Sequence, residues 1–354
     1  MDLTSILKKL IPTGGVVKRM TVSRDHIFTD SVCEFKTAKF DFNNPIRITF
    51  ENESGIDGGG PRREYFSLLM KALVSPYAPF RLFEGSERRL LPMHNTDALR
   101  GGLFKVAGRM IVSSIINGGP GFPCLALPVY TYLVTGSVDD AIDFAIADEI
   151  PDYEVQEVLN EIDQIEDFDN VPSQINTALV NAGFTKLLTK ENKRSAVMSL
   201  MIHSIISSRK AELDQFAQGL EPLLREARKV SEMFKPLFVY GQDTKQLTPE
   251  CFKALIDSDC LEDNLKEYLD KYIDSKDEGE LAKFLSFCTG ASFIPPLGFI
   301  KPSKITDTST ESVLPNVNTC PMELELPRKN GSYDEFSRQM DAALDMQACG
   351  FGVP

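Results

Sequence analysis

The sequence predicts an α+β protein that is mainly helical, with its strands confined to a few short stretches. Three observations lead there. Apolar residues recur every third or fourth position through most of residues 62–287, the period of packed helices. Strict alternation appears at Ile46-Arg47-Ile48-Thr49-Phe50 and again at Met322-Glu323-Leu324-Glu325-Leu326, the period of half-buried strands. Between these regions the helical pattern pauses at Asp257-Ser258-Asp259-Cys260, a small polar segment that reads as an interdomain hinge. A length of 354 residues carries a soft expectation of about two domains.

A short helix over 3–11 opens the chain and stops at Pro12 and the Gly14-Gly15 pair, so residues 1–19 read as a lead-in. After the strand ending at Phe50, residues 52–61 form a glycine-rich turn that runs into a helix over 62–73, with Tyr65, Phe66, Leu68, Leu69 and Leu73 on one face. Glycines before a helix can cradle phosphate, but the Lys-Ser/Thr of a nucleotide loop is missing, so these read as a tight turn. A helix over 103–116 ends at Asn117-Gly118-Gly119-Pro120-Gly121, and another covers 125–133. Residues 139–169 carry many Asp and Glu and no Lys or Arg, which reads as a solvated helix face, with a docking surface for a basic partner as the other reading.

Helical patterns return over 175–182, over 191–209 behind a cap at Thr189, and over 213–234. Thr248 caps a short helix with Pro249 at its first position. Beyond the pause, helices over 261–273 and 278–287 lead through the Pro295-Pro296 corner and a polar loop, 304–312, to the second alternating strand. A last helix over 332–348 has Ser332 and Glu335 as a capping box, and Phe336, Met340, Ala343 and Leu344 as its buried stripe.

Composition narrows the function. Apolar residues at 42% and charged residues at 25% are ordinary for a globular chain. A net charge of −13 disfavours a nucleic-acid partner, which needs a basic stripe. No apolar run of roughly 18 residues is present, and Met1-Asp2-Leu3-Thr4-Ser5-Ile6-Leu7-Lys8-Lys9 lacks the order of a signal peptide, so no membrane partner is expected and the reading is soluble and intracellular. Seven cysteines without CxxC or Cys/His ligand spacing argue against both a disulfide framework and a zinc site, so no metal or cofactor is expected.

The residue that draws attention is Cys320. Pro315, Asn316 and Asn318 before it read as loop, Pro321 after it cannot donate to a ladder, and the alternating strand follows. The thiol therefore stands at a strand entrance, where it is available for chemistry. The bland reading, a small apolar plug at a strand end, is the commoner fate of a lone cysteine and stays open on these residues alone.

Four ordered segments decide what the chain resembles. They are Ile48-Thr49-Phe50 followed by Asp57-x-Gly59-Gly60-x-x-Arg63-Glu64-Tyr65-Phe66; Phe104-Lys105-Val106-Ala107-Gly108-Arg109; Phe284-Leu285-Ser286-Phe287-Cys288-Thr289-Gly290 with Pro296-Leu297-Gly298-Phe299; and Leu314-Pro315-x-x-Asn318-Thr319-Cys320 with Leu324-Glu325-Leu326-Pro327, then a helix and Gly350-Phe351-Gly352. Together they resemble the HECT-type ubiquitin ligase domain from about Met20 onward. The family's Phe-Trp pair is absent, since the chain has no tryptophan and Tyr268-Leu269 is the nearest equivalent, and Asn318 stands where the family has histidine.

That resemblance implies a bilobal fold: a mainly helical N-lobe over 20–256 that docks a ubiquitin-conjugating enzyme, a flexible hinge over 257–260, and a small α/β C-lobe over 261–354. It implies that Cys320 carries ubiquitin as a glycyl thioester and passes it to a lysine of a protein substrate in the cytoplasm or nucleus. Transthiolation needs no catalytic triad, and a cysteine has an appreciable thiolate fraction at its unperturbed pKa of about 8.5. No histidine lies in 261–354, which counts against a Cys–His protease; a hydrolase built on His94 or His203 is disfavoured for want of readable partners. Glu325, in the family's Leu-acidic-Leu-Pro segment, is a candidate to accept or orient the lysine proton, with a plain surface-strand glutamate as its other reading. Thr319 is a candidate to hydrogen-bond around the thiolate or cap the loop, and Phe351, fourth from the end, matches the family's docking aromatic. A second class of reading keeps the fold but makes it a catalytically silent binding or regulatory module, with no thioester on Cys320.

Overall fold

The computed structural model describes residues 2–53, 57–241, 246–308, 313–328 and 331–346. The chain groups into two compact units, the first comprising Met1–Ala72, Ser113–Gly121 and Lys245–Pro354, the second Leu73–Val112 and Phe122–Thr244.

The first unit opens with helix α1 (Leu3–Lys8), started by Asp2, whose carboxylate accepts the Ser5 amide. Strand β1 (Lys18–Val22), helix α2 (Ile27–Lys36) and strand β2 (Ile46–Phe50) follow. β1 and β2 pair in parallel, Lys18 against Ile46 through Val22 against Phe50, and α2 is the crossover that parallel pairing demands. β2 stands where its alternation places it, with Ile46, Ile48 and Phe50 buried. β1 escapes a pattern search because only Met20 and Val22 face the core. Helix α3 (Gly60–Val74) begins within the glycine-rich turn.

The second unit holds hairpin β3 (Phe83–Ser86) and β4 (Arg89–Pro92), then helices α4 (Thr96–Arg100), α5 (Leu103–Ile116, of which the residues from Ser113 on are grouped with the first unit), α6 (Leu127–Thr135), α7 (Val138–Ile142), α8 (Tyr153–Gln164) and α9 (Ser173–Asn181). Helices α10 (Lys193–Ile205), α11 (Lys210–Ala227) and α12 (Ser231–Phe234) complete it. The helix expected over 191–209 stops at Ile205, and Thr189 does not cap it; the Thr189 amide donates to Asn192 Oδ1 instead. Arg209 is drawn inside, where Nη1 reaches Glu84 Oε1 at 2.6 Å and the Pro92 carbonyl at 2.7 Å, bracing the hairpin. Gly108 and Gly219 let α5 and α11 cross backbone to backbone: a Cβ at Gly108 would lie 2.8 Å from Gly219 Cα.

Returning to the first unit, α13 (Pro249–Lys253) starts at Thr248, whose hydroxyl accepts the Cys251 amide, with Pro249 at the first position as expected. After β5 (Ile256–Asp257) come α14 (Asp263–Asp274) and α15 (Glu278–Thr289), the latter opened by an Asp277/Glu280 capping box and closed by left-handed Gly290. Strands β6 (Ser303–Thr308), β7 (Asn316–Asn318) and β8 (Glu323–Pro327) and helix α16 (Tyr333–Met346) end the described chain. The sheet order is β5-β6-β8-β7, parallel except for the β7–β8 pair. Two of these strands replace expected loops: β6 has Ile305 as its fully buried apolar residue, and β7 is Asn-Val-Asn, so neither shows an apolar period.

Behind this sheet an aromatic cluster ties the helices together. Phe252 stacks on Phe284 at 4.7 Å, and Tyr272 meets Phe284 and Phe336 edge-on near 6 Å, joining α13, α15, α14 and α16. Burying each such side chain contributes about 1.5–3 kcal/mol, which gives the sheet edge at residue 320 a rigid support.

Candidate active site

Cys320 lies in the turn that joins β7 to β8. The ladder sets Asn318 opposite Glu323, so only residues 319–322 make the reversal. Met322 takes a φ of +57° within it, and its carbonyl accepts the Lys304 amide at 2.8 Å and the Ser303 hydroxyl at 3.1 Å, which ties the turn to β6. The Cys320 amide donates to Asn318 Oδ1 at 3.3 Å, which braces the turn. The Cys320 side chain is half-buried, while Thr319 is buried.

The opposite wall of the site is the glycine-rich turn after β2. Asp57 shapes it: Oδ2 accepts the Ile48 amide at 3.0 Å and Oδ1 the Gly59 amide at 2.8 Å. Gly59 has a φ of +120°, a conformation that only glycine adopts without strain. A Cβ at Gly58 would stand 3.0 Å from Cys320 Cβ and 3.1 Å from Sγ, and one at Gly60 would collide with Thr319 Oγ1. The turn is therefore tight, as the sequence implies, but its glycines also admit the cysteine loop.

Four consecutive side chains at the start of α3 hold this arrangement. Arg63 donates from Nη2 to the Thr319 carbonyl at 2.6 Å and from Nε to the Thr289 carbonyl at 2.7 Å. Burial pushes its guanidinium down to about 10, and Arg62 adds to the shift, while Cys320 and Asp57 oppose it. Glu64 accepts Arg24 Nη1 at 2.7 Å, the Tyr65 hydroxyl lies 2.6 Å from Ser31 Oγ, and Phe66 fills the space that a side chain on Gly119 would need. The role of Arg63 was beyond sequence reasoning, although the Asp57-x-Gly59-Gly60-x-x-Arg63 spacing is the signal that contained it.

The structure brings Thr319 and Cys320 together with the 57–63 turn. Glu325 is exposed in the middle of β8, opposite Asn316 on one side and Thr306 on the other. Phe351 lies outside the described residues. Among the other cysteines, Cys288 is fully buried in α15 and its thiol is pushed up to about 12, and burial pushes Cys124 up to about 11. His94 Nδ1 lies 2.9 Å from Glu212 Oε1, a buried carboxylate.

A cysteine on a strand-entry turn, in a mixed helix-and-sheet chain carrying the four segments above, defines the class, and the family comparison agrees. The profile described as "HECT-domain (ubiquitin-transferase)" matches residues 67–354, and the chain belongs to that family. Similar proteins include the "G2/M phase-specific E3 ubiquitin-protein ligase" of Macaca fascicularis, 27% identical over 346 residues, which cover 92% of this chain and 46% of that protein. The "Apoptosis-resistant E3 ubiquitin protein ligase 1" of Mus musculus is 26% identical over 346 residues, 88% of this chain and 41% of that protein. The "E3 ubiquitin-protein ligase TOM1" of Saccharomyces cerevisiae is 25% identical over 364 residues, 94% of this chain and 11% of that protein. Within the family the divergent sequence resembles the G2/M phase-specific ligase, which stands among these relatives. The chain spans less than half the length of each of them.

Proposed function

We propose that this chain is a HECT-type ubiquitin-protein ligase that takes ubiquitin onto Cys320 and passes it to a lysine of a protein substrate. The observation that carries the reading is the Cys320 turn, half-exposed, braced by Arg63 and Asn318, and packed on glycines whose lack of side chains admits it. In the first half-reaction the Cys320 thiolate attacks the carbonyl carbon of the ubiquitin thioester on a conjugating enzyme. A new C–S bond forms, the old one breaks, and the conjugating enzyme's cysteine leaves as a thiolate. Thioester for thioester is nearly balanced, so no cofactor is needed. In the second, a lysine amine attacks the same carbonyl; the C–N bond forms, Cys320 leaves as a thiolate, and the amine proton passes to a carboxylate or to water.

Glu325 serves as a proton acceptor in this reading through its exposure on β8, Thr319 packs the loop against Gly60, and Phe351 is carried by resemblance alone. The bilobal division into a lead-in (1–19), an N-lobe (20–256), a hinge (257–260) and a C-lobe (261–354) belongs to the same proposal. So do the partners: ubiquitin, a conjugating enzyme and a protein substrate, met in the cytoplasm or nucleus. For docking the conjugating enzyme, the second unit offers exposed Phe144, Ile146 and Tyr153 within the acidic 139–169 stretch, a surface suited to an apolar contact ringed by basic groups.

The test is charging. The chain is mixed with ubiquitin and a panel of thioester-loaded conjugating enzymes and run on non-reducing gels beside Cys320→Ala. A reductant-sensitive adduct that disappears in the variant supports the ligase; no adduct from a folded chain across the panel favours the silent module.

A further inference from the structure

Arg63 joins two backbone carbonyls that are distant in the chain, Thr289 O at 2.7 Å and Thr319 O at 2.6 Å. One helical turn on, Ser67 Oγ accepts the Ser292 amide at 3.3 Å, so one face of α3 grips the 289–292 corner and the residue before Cys320 together. The guanidinium stands on Gly59, where a Cβ would lie 2.7 Å from Nη1. A buried cation is a costly brace, and burial pulls Arg63 down to about 10. The Thr319 carbonyl belongs to the peptide whose nitrogen is that of Cys320, so fixing that plane fixes where the Cα that bears the thiol stands. Sγ lies beside Gly58, 3.1 Å from where a Cβ there would stand, so the sulfur is packed on the same glycine turn that carries the guanidinium.

We infer that Arg63 is a positioning residue for the second half-reaction, holding the loaded Cys320 loop on the 58–60 turn while the lysine amine attacks. This rests on the reading of Cys320 as the acceptor. The bonds made and broken are those given above: C–N forms, the C–S bond to Cys320 breaks, and the amine proton leaves to a carboxylate or to water. Arg63 carries no proton in the step; it sets the angle at which Sγ presents the carbonyl.

A single-turnover experiment on the full chain separates the two half-reactions. Ubiquitin is loaded from a charged conjugating enzyme, further loading is quenched, and free lysine is added, with loading and discharge followed on non-reducing gels. Arg63→Gln is expected to discharge to lysine about ten- to a hundredfold more slowly, with a distinctly smaller loss in loading. Arg63→Lys recovers part of the loss, because an ammonium reaches one carbonyl but lacks the fork for both, and it serves where the Gln variant fails to fold. Discharge of Arg63→Gln at the unsubstituted rate overturns the inference, and so does an equal fall in both rates. Hydrogen exchange across residues 313–322 is expected to quicken in Arg63→Gln, and unchanged exchange overturns the clamp. An unsubstituted chain that never loads removes the acceptor reading itself, and the inference with it.

Discussion

Arg63 Nη2 donates to the Thr319 carbonyl at 2.6 Å across 256 positions of sequence, so the residue before Cys320 is held by a side chain from the first turns of α3. The site is therefore built from two distant segments of one compact unit, and substitutions at either are expected to reach the cysteine.

Gly60→Ala tests the contact from the other side. The added methyl falls on Thr319 Oγ1 and stands 3.2 Å from the Cys320 amide nitrogen. Overpacking of this kind costs about 1–3 kcal/mol, so thermal unfolding is expected at lower temperature, with slower discharge of loaded ubiquitin. Gly14→Ala, where a Cβ meets nothing within 4 Å, is expected to be near neutral. Equal midpoints for the two variants contradict the packing described.

Asp341 supports the first unit's core from α16. It accepts the Tyr272 hydroxyl at 2.6 Å and Lys276 Nζ at 2.9 Å. Partial burial raises its carboxyl, but hydrogen bonds from Tyr272 and Lys276 outweigh that and leave it below the usual carboxylate range. A depressed carboxylate contributes stability that is present above its unfolded value, about 3.9, and is lost as pH falls through the folded value. Asp341→Ala is expected to cost about 1 kcal/mol at neutral pH, because the half-exposed carboxylate is screened by solvent, and the deficit should shrink as acid unfolding is approached. A deficit independent of pH in denaturant titrations speaks against the network.

At the alkaline end the buried Cys288 thiol, pushed up to about 12, has the opposite sign. Its contribution is complete below the unfolded thiol value and disappears as pH rises through the folded one. Stability should fall between about pH 9 and 12, and Cys288→Ala is expected to flatten that slope by up to one proton. Cys124, pushed up to about 11, and Tyr65, Tyr130 and Tyr272, also raised by burial, keep the remainder of the slope in the variant. Identical slopes mean that Cys288 titrates as it does in the unfolded chain.

How much of this could be read beforehand depended on periodicity. β2, β8, α3, α5 and the Thr248-Pro249 start of α13 were legible because alternation, amphipathic spacing or cap chemistry states them locally. β6 and β7 were not, because Ile305 and Val317 are single apolar residues among polar ones, and their pairing is set by β8 rather than by their own pattern. Cys320 was legible as a thiol at a strand entrance. Its partners were not: the Asp57-x-Gly59-Gly60-x-x-Arg63 spacing marks Arg63 but not its reach to Thr319, which is made by tertiary packing, and the glycines at 58–60 show their second purpose only once the loop they admit is in place.

Replacing Cys320 with serine tests directly whether its sulfur carries ubiquitin. Cys320→Ser is incubated with ubiquitin and a charged conjugating enzyme that loads the unsubstituted chain, and the product is mapped by peptide mass spectrometry. The thiol-sensitive adduct is expected to be replaced by a slow oxyester that survives reductant, yields to hydroxide and maps to residue 320. A thiol-sensitive adduct that persists in Cys320→Ser, or one that maps to another cysteine, contradicts Cys320 as the acceptor.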